Sequence, residues 1–340
     1  MTDYTDLVAR ARGLTGRLLQ DEQIATLCSV PAAHVSAQLA ALGAIAPDAV
    51  VANTTGATHV HGLERALRER AALRLQILAR WSGTRHDALA VLFDEEDMHS
   101  LRAVVRAIVS GVPVDQRTAG LIPTPGLPMR ALIALAMSGD VANVASLLLA
   151  WQSPYGAAMA VEAARPRPEL LQFDVALART FASRARTATR YNRMLRHYTQ
   201  RVIDLANLWT ALVLADHRTD VSVATLFVEG GTLVHEADLT FAVAAARREP
   251  LVARLLPRVT GTPLARALDP VDGRDPEDSA LAAMVEEFRA LARREPTSVA
   301  PVIAFVLRQH LELRALLRIV WSVSLGIPSA RIRRAAGVAA

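Results

Sequence analysis

An all-α fold of three tandem units is predicted here, because one amphipathic stretch occurs three times at nearly constant spacing and the apolar residues are of the helix-packing kind. The middle copy is RVIDLANLWTALVLAD, from Arg201 to Asp216; the others are EDMHSLRAVVRAIVSG, from Glu96, and HLELRALLRIVWSVSLG, from His310. In each, an acid is followed four residues later by leucine: Asp97 and Leu101, Asp204 and Leu208, Glu312 and Leu316. The acids stand 107 and 108 residues apart, and self-similarity at a fixed period marks a multiplied structural unit. Hydrophobic residues make up 52% of the 340-residue chain but aromatics only 4%. The core must then be built from Ala, Leu and Val, a mixture suited to close-packed helices rather than sheets. The period places the units at 1–118, 119–227 and 228–340.

The first unit opens with YTDLVARARGLTGRLLQ, a helix with Leu7, Ala11, Leu14 and Leu18 on one face. DEQIATLCSVPAAHVSAQLAALG follows as two short helices broken at Pro31, and a loop at Pro47 leads to a long helix, HGLERALRERAALRLQILARWSG. The run Asp94 to Asp97 reads as an acidic helix start, favoured by the macrodipole. The outer two signature copies end in Gly111-Val112-Pro113 and Gly326-Ile327-Pro328, where Gly supplies a left-handed cap and Pro forbids continuation. The middle copy lacks this ending. In it Val202, Leu205, Trp209, Leu212 and Val213 form the expected apolar stripe, with Asp204 and Asn207 one turn apart on an adjoining one.

In the second unit, TPGLPMRALIALAMSGDVANVASLLLAW gives two short helices joined at Ser138 to Asp140, and a single long helix from Glu169 to Gln200 leads into Asp204. The third begins near Val228 with Gly230-Gly231, then LVHEADLTFAVAAARREPLVARLL, a polar loop DPVDGRDPEDSA, and the helices LAAMVEEFRALARR and PVIAFVLRQHLEL. Arg-Arg-Glu-Pro, at Arg247 and again at Arg293, reads as a helix exit both times.

Between Arg130 and Glu162 the only charged residue is Asp140, and this run is long enough to cross a bilayer. An Asp at its middle would cost about 2.5 to 3.5 kcal/mol on insertion scales, so two short helices are the better reading and the chain is expected to be soluble. The 38 strong cations are all Arg and spread along the chain, giving a formal net charge of +5. Arg can pair bidentately with carboxylate or phosphate. One cysteine, Cys28, excludes an internal disulfide and fits a reducing compartment. The opening residues, with Asp3 and Asp6 and no apolar run, are not expected to act as a secretory signal.

Three repeated acids could form a threefold ion site, but a metal or catalytic centre needs several ligands within a few ångströms. One acid per unit instead suits an anchor, each carboxylate holding its own unit by accepting hydrogen bonds from a neighbouring helix or an Arg. His59 and His61 would be metal ligands in a strand and are otherwise a surface loop; His235-Glu236 lacks the second His of a zinc-protease helix. Gly230-Gly231-Thr232 lacks the lysine and glycine spacing of a phosphate loop. No catalytic, cofactor or metal constellation can be assembled, which points to a binding or mechanical role. A rival reading is a DNA-binding regulator, since Ile24, Ala25, Val30, Val35 and Leu39 follow helix-turn-helix spacing. Against it, Ser29 stands where the turn favours Gly, and PAAHVSAQLAAL offers no Arg, Lys or Asn to bases or phosphates.

The opening YTDLVARARGLTGRLL, the middle IDLANLWTAL and the end PVIAFVLRQHLELRALLRIVWSVSLGIPSARIR resemble the C-type stalk protein of archaeal and bacterial V/A-type ATPases, whose eukaryotic counterpart is the d-type protein. Ser100 and Ala315 stand where that family tends to place Asn; Asn207 keeps it. The resemblance implies a funnel of three similar helical units about a pseudo-threefold axis, without catalytic role, cofactor, small-molecule substrate or nucleic acid. It implies two partners: the central shaft of the ATPase head, received in the cavity, and the proteolipid ring, on whose cytoplasmic face the protein sits.

Overall fold

The computed structural model describes residues 3–49, 57–118, 120–166, 169–217, 222–270 and 274–337. Among these residues there is no β-strand, and the chain is all-α. In order the helices are α1 (Thr5–Thr15), α2 (Asp21–Leu27), α3 (Val35–Ala41), α4 (Ala57–Arg80), α5 (His86–Val109), α6 (Met129–Ala136), α7 (Val141–Ala150), α8 (Gly156–Ala163), α9 (Leu170–Ala188), α10 (Arg193–Asp216), α11 (Val223–Leu226), α12 (Glu236–Ala245), α13 (Arg248–Val259), α14 (Pro263–Leu268), α15 (Pro276–Arg294), α16 (Ala300–Ser324) and α17 (Ser329–Ala336).

The chain forms two compact units, and neither is one contiguous stretch. The first comprises Met1–Gly83, Ala119–Pro123 and Asp269–Ala340; the second comprises Thr84–Thr118 and Thr124–Leu268. In the first unit α16 is the central helix and packs against α15, α4, α1 and α17. Residues 302–307 of α16 are all buried, so this part of the helix is covered on every side rather than along one stripe. Each fully buried Ile, Leu or Phe there contributes about 1.5–3 kcal/mol. In the second unit α10 packs against α9 and α12, and α5 lies along α9. The α7–α8 corner closes at Gly156, where a Cβ would stand 2.7 Å from the Leu149 nitrogen.

Local differences from the sequence expectations have identifiable causes. The helix expected from Glu169 to Gln200 is broken between Ala188 and Arg193, because the Asn192 side chain accepts from Leu195 N at 3.0 Å and starts α10 afresh. Asp94 to Asp97 are not a helix start, since α5 begins at His86; all four acids are buried in mid-helix. Pro276 to Ala280 belong to α15 rather than to the polar loop, because Asp275 caps the helix and Pro276 fills its first position, where no N–H is needed. Arg247 marks a helix entry: Ala246, left-handed at φ 48°, ends α12, and Pro250 is tolerated in the first turn of α13. Arg293 and Arg294 do close α15.

The buried face of α10 is only partly the predicted one, with Val202 and Leu212 of the expected stripe buried. Val213 is exposed and Leu205 and Trp209 are half-buried, while Asp204, Asn207 and Leu208 are fully buried beside Val202, Ala211 and Leu212. The polar pair lies on the core face because it binds backbone groups there. His59 and His61 fall within helix α4, neither in a strand nor in a loop, and the His61 ring meets Trp321 edge-on at 5.0 Å. Asp140 caps α7 by accepting from Asn143 N at 2.7 Å, dividing the apolar run as expected. No helix among the described residues is long and apolar enough to cross a membrane.

Candidate functional site

The three signature acids lie on α5, α10 and α16, and each faces the segment that precedes a short helix. Asp204 is the most completely bonded. Its Oδ1 accepts from the consecutive backbone N–H groups of Thr232, Leu233 and Val234 at 2.8, 2.8 and 3.2 Å, and Thr232 Oγ1 approaches Oδ2 at 3.3 Å. Successive N–H groups turned toward one point form a concavity for an anion. The Gly230-Gly231-Thr232 turn is thus an anion nest, but the anion is the protein's own carboxylate. A Cβ at Gly231 would collide with that carboxylate. Burial pushes the Asp204 carboxyl above its ordinary range, and the three backbone N–H groups and Arg201 pull against that.

One turn on, Asn207 completes the grip. Its Nδ2 donates to Val228 O at 2.8 Å and its Oδ1 accepts from Val228 N at 2.9 Å, so one amide satisfies both backbone groups of one residue. Leu208 follows, fully buried.

Asp97 makes the corresponding contact through an intermediary. Thr124 Oγ1 donates to Asp97 Oδ1 and itself accepts from Gly126 N at 3.1 Å and Leu127 N at 3.0 Å. A Cβ at Gly126 would collide with Asp97 Oδ2. Burial above all, with the neighbouring Asp94 and Glu96, raises the Asp97 carboxyl to about 7 against the lowering pull of the Thr124 hydroxyl and Arg184. Leu101 is fully buried. Ser100 is buried where α10 has Asn207.

Glu312 accepts from Leu19 N at 2.7 Å through Oε1 and from Arg74 Nη1 at 2.7 Å through Oε2. Arg74 also donates to Arg17 O at 3.1 Å, and Gln309 Nε2 to Ala71 O at 3.2 Å. Leu316 is buried at this site and Ala315, with no polar group, replaces the amide. No glycine is needed here, because Glu is one methylene longer and reaches the backbone from further away.

The acids therefore do not meet at one ion site. Their donors lie just before α12 for Asp204, just before α6 for Asp97, where the Thr124 hydroxyl intervenes, and just before α2 for Glu312, to which Arg74 of α4 adds a side-chain partner of the expected kind. Leu19, Arg74, Thr124, Gly126 and the Thr232-to-Val234 backbone had no signal in sequence as partners, because they lie 27 to 293 residues from their acids. Gly111 and Gly326 adopt φ 67° and 68°. Behind them Val112 N bonds Ala107 O at 2.9 Å and Ile327 N bonds Ser322 O at 3.0 Å, and Pro113 and Pro328 then take the N-cap positions of a short 3-10 turn (Val114–Gln116) and of α17. The middle copy ends differently, with His217 extended after α10. Among the described residues no group of three or more His, Cys, Asp or Glu could hold a metal ion.

The fold and these anchors define an all-α scaffold in which buried side chains fasten long helices to the segments before short ones. The chain belongs to the ATP synthase (C/AC39) subunit family, whose model matches residues 7–335. It is 25% identical over 261 residues to the C-type subunit of the A-type ATP synthase of Haloquadratum walsbyi, covering 74% of this chain and 75% of that protein. It is 25% identical to the same protein of Haloferax volcanii and 27% identical to that of Halobacterium salinarum, each over 263 residues and 74% of both chains. The helix-turn-helix alternative is not favoured: α3 has only seven residues and buries Val35, Ser36 and Leu39.

Proposed function

We propose that this chain is the non-catalytic central-stalk subunit of a V/A-type rotary ATPase, joining the shaft of the soluble head to the membrane proteolipid ring. The observation that carries the reading is the family match over residues 7–335, and the relatives, named as C-type subunits of A-type ATP synthases, point the same way. Units 1–118, 119–227 and 228–340 form a funnel with pseudo-threefold symmetry; the shaft enters its cavity and the ring lies beneath, on the cytoplasmic side. The protein turns with the rotor and passes torque, coupling ATP turnover to proton or sodium transport. It uses no cofactor, no small-molecule substrate and no nucleic acid. Torque transfer requires stiff helices and broad interfaces, and the buried carboxylate anchors supply that stiffness at each repeat.

The test is removal of the protein from the ATPase complex of its own organism. ATP hydrolysis by the head should persist while ATP-driven ion transport is lost, and adding the protein back should restore transport. Transport that proceeds unimpaired without it would overturn the assignment.

A further inference from the structure

Resting on that assignment, we infer that the α9–α10 turn, centred on Tyr191, is the docking point for an acidic segment of a partner protein in the complex. Contrary to an even spread of charge, residues 175–203 hold seven arginines and no Asp or Glu. Arg179 donates to the Phe227 carbonyl at 2.8 Å through Nη2, Arg184 donates to Asp94 at 2.9 Å, and Arg201 acts on Asp204. Arg196 braces the turn by donating to the Arg190 carbonyl. Arg186, Arg190 and Arg193 are exposed around Tyr191, whose own exposure of 90% is the highest of any large apolar or aromatic side chain described. The Arg190 guanidinium lies over the Tyr191 ring at 5.2 Å. Glu229 lies 3.8 Å from Arg186, but both are more than 60% exposed, and such a pair adds little.

The chemistry of this tip selects its occupant. Guanidinium groups pair bidentately with carboxylates, and Tyr with Arg is the composition of interface hot spots. A membrane surface fits less well, since interfacial anchoring needs a broad apolar face, and the single aromatic ring has only the polar Arg190, Asn192 and Arg193 as its near neighbours in sequence. The site is also prepared locally, because Asn192 caps α10 and the Arg196 bond holds the turn.

The test compares the full chain with the triple variant R186Q/R190Q/R193Q, and with a control, R65Q/R80Q/R294Q, that removes the same charge from exposed arginines elsewhere. Helix content and melting temperature are measured first, and rebinding to the ATPase complex stripped of this protein is followed from low to moderate salt. The turn variant should rebind at least about tenfold more weakly at low salt with a flatter salt dependence, while the control rebinds like the parent. Equal weakening of both variants, or none in the turn variant, refutes the docking point while leaving the assignment to the complex intact. Failure of the parent chain to rebind refutes the assignment itself, and the docking point with it. Binding of the parent to phosphatidylglycerol vesicles that is lost in the turn variant, with rebinding unchanged, shows a lipid surface instead and also refutes it.

Discussion

Asp97 carries a carboxyl raised to about 7 by burial, close beside Asp94 and Glu96. Its folded-state value lies above the unfolded one, so the folded protein binds the proton more tightly between about pH 4 and pH 7 and stability falls as pH rises through that window. Asp97→Asn removes the titration while keeping an acceptor for Thr124. We expect the variant's stability relative to the parent to rise between pH 4.5 and 7.5, by about 1.4 kcal/mol for each unit of the shift; urea unfolding at both pH values checks this, and a pH-independent difference would sink it. Asn207→Ala strands the N–H and C=O of Val228, and a loss of about 2–4 kcal/mol is expected in the same assay. A loss under about 0.5 kcal/mol would show that water takes over both bonds.

At the scale of elements, the anchors trade side-chain length against backbone approach. Asp97 and Asp204 are short, so the strap must come close and needs Gly126 and Gly231; Glu312 is longer and meets Leu19, which carries a full side chain. Gly231→Ala should destabilise by about 1–3 kcal/mol through steric displacement of a carboxylate that three N–H groups hold in place. Thermal melts would decide, and an unchanged midpoint would mean the strap shifts freely. Glu312→Asp cannot reach Leu19 and Arg74 together, and breaking a buried pair costs about 3–5 kcal/mol. Addition of Leu19→Gly should not restore that loss, because the lost contact with Arg74 would remain.

For the whole molecule, the repeat period and the compact units are different divisions of the chain. Residues 1–118 contain α1 to α4 from one unit and α5 from the other, and lack α16, which covers α1 and α4. A fragment of residues 1–118 should therefore show little cooperative unfolding and broad amide resonances. A sharp transition matching the full chain would contradict the packing described.

Sequence by itself determined the all-α class, the three signature helices, the glycine caps at Gly111 and Gly326 and the division of the apolar run at Asp140. These depend on composition, helical periodicity and local capping, which act within a few residues. It placed only Val202 and Leu212 of its stripe on the buried face of α10, since an apolar count cannot register that Asp204 and Asn207 become core residues once backbone groups 21 to 30 residues away satisfy them. It also passed over the basic turn at Tyr191, whose significance depends on the exposure of that ring and of the arginines beside it, which only the packing sets. Only the tertiary structure decided which acid meets which strap, because a carboxylate becomes an anchor through the donors that packing brings to it, and for Asp204, and at Leu19 for Glu312, those donors are backbone N–H groups that every residue but proline carries.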